Sequence, residues 1–105
     1  MFSLKIAQSG GLTRCAEVAR IAEKNGIGRY GGTMLEGGVG TAASAHLFAC
    51  LPEFEWHSEI FGPLLQTEEI LVEPLEYREF GIVVPTAPGL GITIDRQKLE
   101  RFARP

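Results

Sequence analysis

Three short extended stretches recur at intervals of about thirty residues with helical runs between them, and this alternation constrains the chain more than any other feature. Phe2 to Ala7 alternates, with Phe2, Leu4 and Ile6 on one side and Ser3, Lys5 and Ala7 on the other. Gln8-Ser9-Gly10-Gly11 reads as a turn. A helix is predicted over 12–25, where Cys15, Val18, Ala19 and Ala22 fall at helical spacing and Arg14, Glu17, Arg20 and Lys24 take the wet side. Asn25-Gly26 closes it, because glycine accepts the left-handed conformation beyond a C-cap. A second strand is predicted over 28–35, a second helix over 41–50 closed by Pro52, and a third strand over 54–60. Strand, helix, strand, helix, strand predicts parallel βα units, since parallel strands need long crossovers.

After Phe61-Gly62-Pro63 the pattern changes. The segments 68–73, 80–84 and 90–94 read as short extended pieces split by Pro74, Pro85, Pro88 and Gly89, and Asp95 should cap a helix over 96–102. This divides the chain into 1–62 and 63–105. Three parallel strands leave both sheet edges bare, so more chain or a partner is expected to cover them. A chain that enters a strand directly after Met1 reads as part of a longer polypeptide.

Composition narrows the partners. The chain is 105 residues long, 45% hydrophobic and 22% charged, which places it with globular domains. Its net charge of -3 includes no Lys/Arg run, so neither nucleic acid nor an anionic membrane is expected as partner. No apolar run reaches the roughly 18 residues of a spanning helix. Met1-Phe2-Ser3-Leu4-Lys5 lacks a secretory layout, so a cytoplasmic location is expected. Cys15 and Cys50 both sit in alanine-rich helical settings and read as buried thiols rather than as a disulfide or half a metal site.

The densest motif is Tyr30-Gly31-Gly32-Thr33-Met34-Leu35-Glu36-Gly37-Gly38-Val39-Gly40, a strand end that delivers one carboxylate into a glycine turn ahead of a helix. Within it, Gly38-Val39-Gly40-Thr41-Ala42-Ala43 satisfies G-x-G-x-x-A, and Glu59 follows about twenty residues on, where a ribose-binding acid would stand. Against a dinucleotide site, Glu36 would repel the pyrophosphate. A P-loop is excluded because Gly38, not lysine, follows Gly37.

The stretch YGGTMLEGGVGTAASAH, with KIAQSGG upstream and WHSEIFGPLLQTEEIL downstream, resembles the C-terminal part of the muconate and chloromuconate cycloisomerases of the enolase superfamily. The likeness runs from Phe2 to Arg101, with three motifs in the family's order. It implies an α/β fold: the last three strands and two helices of a (β/α)7β barrel over 1–62, and over 63–105 an extended tail returning to a capping domain. It implies metal-dependent interconversion of cis,cis-muconate, or a chloromuconate, and muconolactone. A dipeptide epimerase or o-succinylbenzoate synthase-like relative, or a non-catalytic fragment, are the alternatives.

Residue by residue, the resemblance matches Lys5 to a strand-end lysine that supplies positive charge across the substrate, and in some relatives proton transfer. It matches Glu59 to a glutamate that hydrogen-bonds a substrate carboxylate oxygen. Glu36, with Gly32 and Thr33, would shape the pocket, orient Lys5 or contact the substrate. The bland alternatives are a solvated edge lysine and solvated acids at strand and turn ends. His46 and His57 read as packed or surface histidines. The family's Mg²⁺ or Mn²⁺ is held by three carboxylates on earlier strands, so none of its ligands is expected in this chain; Glu36 and Glu59 alone cannot form a near-octahedral oxygen set. A small dicarboxylate substrate is implied, and a homo-oligomer for the intact enzyme.

Overall fold

In the computed structural model, which describes residues 1–52 and 54–104, strand β1 (Phe2–Leu4) pairs in parallel with β2 (Arg29–Gly31). The register sets Phe2 beside Arg29, Ser3 beside Tyr30 and Leu4 beside Gly31. A third extended piece joins through one parallel bridge, Gly31 to Ser58, so β2 lies in the middle. This is a parallel α/β arrangement in the order the βα alternation predicts.

The helices are α1 (Ile6–Ser9), α2 (Leu12–Lys24) and α3 (Gly38–Ala49). Alternation puts Leu4 on the helix side, where it is buried with Cys15, Ala19, Leu47 and Phe54, and Ile6, Val18 and Phe48 pack around them. Phe48 and Phe54 meet edge to face at 5.3 Å. Burying one such leucine contributes about 1.5–3 kcal/mol. The core is small because α2 and α3 bury mainly alanine, threonine, serine and cysteine.

Several boundaries differ from the sequence reading. The first strand stops at Leu4, and Ile6–Ser9 coils at once into one helical turn; Gly10 (φ 83°) ends it by donating to the Ile6 carbonyl. The second strand stops at Gly31, because Thr33 to Glu36 fold into a turn with Leu35 at φ 61°. The third expected strand is mostly not extended. The His57 N–H bonds back to the Phe54 carbonyl at 3.2 Å, and His57 itself sits at φ 58°. Phe54 therefore turns into the core while Trp56 stays exposed, although their alternation looked like that of a strand. Helix α3 begins three residues before the expected Thr41. Cys15 is buried as expected, but Cys50, just past α3, is exposed; both thiols are free.

The tail crosses back over α3. A 3₁₀ turn (Gly62–Leu65) leads to a hairpin of β3 (Tyr77–Arg78) and β4 (Gly81–Ile82), then to α4 (Arg96–Phe102). The 68–73 and 90–94 segments form no strand; they meet in one antiparallel bridge, Leu71 to Ile94. Asp95 caps α4 as read, accepting from Gln97 N at 3.0 Å and Lys98 N at 3.1 Å. Leu71 is buried, and His46 on α3 bonds the Leu90 carbonyl at 3.1 Å, so the tail is pinned to the helix. That is the role the structure shows for His46.

Candidate functional site

The strand ends finish in one row. Leu4, Gly31 and Ser58 are register partners, and the ladder carries on one step beyond them. Gly32 N–H donates to the Leu4 carbonyl at 2.9 Å, and Glu59 N–H to the Gly31 carbonyl at 2.8 Å. The next residue on each piece is Lys5, Gly32 and Glu59. Successive residues alternate faces, so this row lies opposite the face that Leu4 turns to the helices. Lys5 and Glu59 are half-buried and Gly32 is buried.

Gly32 has a steric reason to lack a side chain. A Cβ there would run into the Ser3 hydroxyl and stand 2.8 Å from Lys5 Cε. The Lys5 stem thus lies across Gly32, between its own strand end and that of Glu59.

Glu36 is held by the turn that precedes it. The Thr33 hydroxyl donates to its carboxylate, Met34 N–H does so at 2.9 Å, and Thr33 Oγ1 accepts from Leu35 N–H at 2.8 Å. Burial pushes the Glu36 carboxyl up. The Thr33 hydroxyl, its own and the Met34 backbone N–H groups, and the Lys5 charge outweigh that and leave it below the usual glutamate range. Three more contacts fasten the turn: Thr41 Oγ1 donates to the Glu36 carbonyl at 3.0 Å, Gly40 lies against the Glu36 stem, and Gly62 lies against the Glu36 carbonyl.

The structure thus brings Lys5, Gly32 and Glu59 into one row, with Glu36 and Thr33 beside Lys5. His57 is exposed on its left-handed turn. Sequence reasoning passed over Tyr30. It lies two residues before Gly32, on the same sheet face by strand alternation, diagonal to Glu59 on the neighbouring extended piece. Burial, then the neighbouring Glu59 carboxylate, push the Tyr30 phenol up. Period-two spacing along the strand would have found it.

A cleft of about 430 Å³ opens on the far side of Glu59, lined by Ile60, Phe61, Tyr77 and the hairpin tip. Neither Lys5 nor Glu36 reaches it, so it adjoins the row rather than containing it. Among the described residues no group of three or more histidine, cysteine or acidic side chains could hold a metal ion. The N-terminus of α3, where a dinucleotide pyrophosphate would bind, is taken by Glu69, which accepts from Gly38 N–H at 2.5 Å. No helix among the described residues is long and apolar enough to cross a membrane.

Parallel strands with interleaved helices, and an ammonium and carboxylates gathered at the strand ends, place the chain among the α/β domains. It belongs to the family described as enolase C-terminal domain-like, which matches residues 1–98. Over 99% of its length it is 56% identical to muconate cycloisomerase 1 of Pseudomonas putida, and over 98% it is 44% identical to a chloromuconate cycloisomerase of the same organism. It superposes on the crystal structure of muconate cycloisomerase from Pseudomonas fluorescens with a TM-score of 0.97 at 54% identity, covering 100% of this chain and 29% of that one. The chain spans about 28% of the length of the curated relatives it matches.

Proposed function

We propose that this chain supplies the C-terminal share of a cycloisomerase that interconverts cis,cis-muconate and muconolactone. The observation that carries the reading is the Lys5–Gly32–Glu59 row at the ends of adjacent parallel strands. Residues 1–62 would be the last strands of a (β/α)7β barrel, whose reactive groups stand at strand C-termini. Residues 63–105 would return to a capping domain. The higher identity to the muconate enzyme than to the chloromuconate enzyme, 56% against 44%, favours the unchlorinated substrate.

In the reaction one carboxylate of the substrate adds to a double bond, and a proton is exchanged at the carbon next to the other carboxylate. That carbon acid is weak, so charge must be stabilised on the second carboxylate as the proton leaves. Lys5 would place an ammonium beside that charge, and protonated Glu59 would donate a hydrogen bond to one of its oxygens. Gly32 leaves room for the Lys5 stem, and the nearby Glu36 charge would help orient the ammonium. A divalent ion in this superfamily adds electrostatic stabilisation; its ligands would come from outside this chain, along with a partner lysine. A homo-oligomeric cytoplasmic enzyme is part of the same reading.

The test is a chimera in which this chain replaces the matching 28% of Pseudomonas putida muconate cycloisomerase 1. With added Mn²⁺ the chimera should consume cis,cis-muconate, followed by its absorbance. Lys5→Ala and Glu59→Ala should each lower turnover about a hundred- to a thousandfold, the usual loss when one stabilising group at a developing charge is removed. A folded chimera whose turnover survives both substitutions would refute the assignment.

A further inference from the structure

Tyr30 stands on the same sheet face as the Lys5–Gly32–Glu59 row without being part of it. Its register partner is Ser3, and Gly31, the next residue, bridges to Ser58. Tyr30 and Glu59 are therefore diagonal neighbours on adjacent extended pieces, a separation that a tyrosine ring spans. Both are half-buried, and Ser3 beside them is small and exposed. The groups facing the pair are Lys5 from β1, whose stem lies across Gly32, and Arg78 and Glu79 from the hairpin, which line the cleft beyond Glu59.

We propose that Tyr30 is a positioning residue for Glu59, a role that rests on the function proposed above and goes beyond it. The phenol donates to one carboxyl oxygen of Glu59. That oxygen, already serving as an acceptor, is the poorer site for a proton, so when Glu59 is protonated the proton sits on the other oxygen. The O–H of Glu59 then points away from Tyr30, across the row toward the place a substrate carboxylate would occupy beside Lys5. Without the phenol, Glu59 could rotate and present either oxygen, and only some of its orientations would donate productively. The raised ionisation of Tyr30, caused by burial and by the adjacent Glu59 charge, fits a phenol that stays neutral and donates.

Two measurements decide this. In the folded chimera described above, the ring carbons of Tyr30 and Tyr77, assigned by their Tyr→Phe variants, are followed by NMR as pH rises. Glu59→Gln should bring the Tyr30 ionisation down toward the ordinary tyrosine range and leave that of Tyr77 where it was. A Tyr30 titration that ignores the substitution overturns the contact and the proposal with it. In the chimera described above, Tyr30→Phe keeps the ring and its packing while removing the donor. It should lower kcat by severalfold to about tenfold, the worth of one neutral hydrogen bond, with KM little changed. Unchanged kcat, or a loss carried by KM instead, would overturn the positioning role even if the contact exists. A chimera with no turnover at all would remove the proposed function, while the titration would still decide whether Tyr30 and Glu59 are joined.

Discussion

Single residues here are explained by what they leave room for as much as by what they touch. A Cβ on Gly32 would press on the far end of the Lys5 side chain and on the Ser3 hydroxyl, both of which can swing aside. We expect Gly32→Ala to change stability by less than about 1 kcal/mol, yet to displace Lys5 and lower turnover of the chimera at least tenfold. Thermal unfolding and the muconate assay, run on the same preparation, separate the two effects. Glu36 makes the opposite case, because its contacts favour the charged form. Its carboxyl titrates lower when folded than the ordinary 4.5, so the folded state binds fewer protons there than the unfolded one. The stability this contributes is present above the ordinary value and is lost as pH falls through the lower folded one. Denaturant unfolding from pH 6 downward should show the parent losing more stability than Glu36→Gln, whose amide keeps an acceptor for Thr33 and Met34 but carries no titrating charge. Parallel curves for the two proteins would show that the turn does not depend on the charge.

Among the elements, what decides each boundary is a contact with another element. Glycines 38 and 40 lie in the first turn of α3, where alanine would be the better helix former. Their place is taken by Leu71 from the tail and by the Glu36 stem, which a Cβ would strike. The 3₁₀ turn is tied down in the same way, for a Cβ on Gly62 would meet the Glu36 carbonyl and the Leu35 backbone, which cannot swing aside. Gly62→Ala should therefore cost about 2 kcal/mol or more and lower the urea midpoint of the whole chain. Asp95→Ala removes only the cap of α4, a helix with no buried residue, and should cost about 1 kcal/mol. Its effect should show as local fraying by hydrogen exchange, with the midpoint nearly unmoved. Equal losses from the two substitutions would mean that the tail and the sheet do not differ in cooperativity as their packing implies.

The molecule as a whole is spread thin. Its radius of gyration is 14.4 Å, against about 13 Å for a compact domain of this length. Phe2, Trp56, Leu64, Leu65 and Phe102 are exposed, and Phe80 projects fully from the hairpin tip. Two adjoining strands and one bridge leave sheet edges open. The isolated chain should therefore self-associate at micromolar concentration, visible by sedimentation. It should also show no muconate turnover with added Mn²⁺, since Lys5 and Glu59 are only part of the stabilisation the reaction needs. Turnover by the isolated chain at an enzyme-like rate would refute the division of labour proposed here.

The order of strands and helices was legible in the sequence because it rests on local periodicity and on the long crossovers that parallel pairing requires. The α4 cap was legible for the same reason, since the Asp95 carboxylate bonds to the N–H groups two and three positions on. The motif residues were legible as a group: Lys5 and Glu59 were read at strand ends and Glu36, with Thr33, in the glycine turn. Their arrangement was not. Alternation cannot tell a strand from a turn when one residue adopts the left-handed conformation, as His57 does, so the third strand was read too long and Phe54 was taken for a strand residue rather than core. Nor does any local pattern report that Gly32 makes room for Lys5, that Glu69 takes the α3 N-terminus, or that Tyr30 stands diagonal to Glu59. Those are contacts across register and across the tail, between residues far apart in sequence, and only the packing of one element on another decides them.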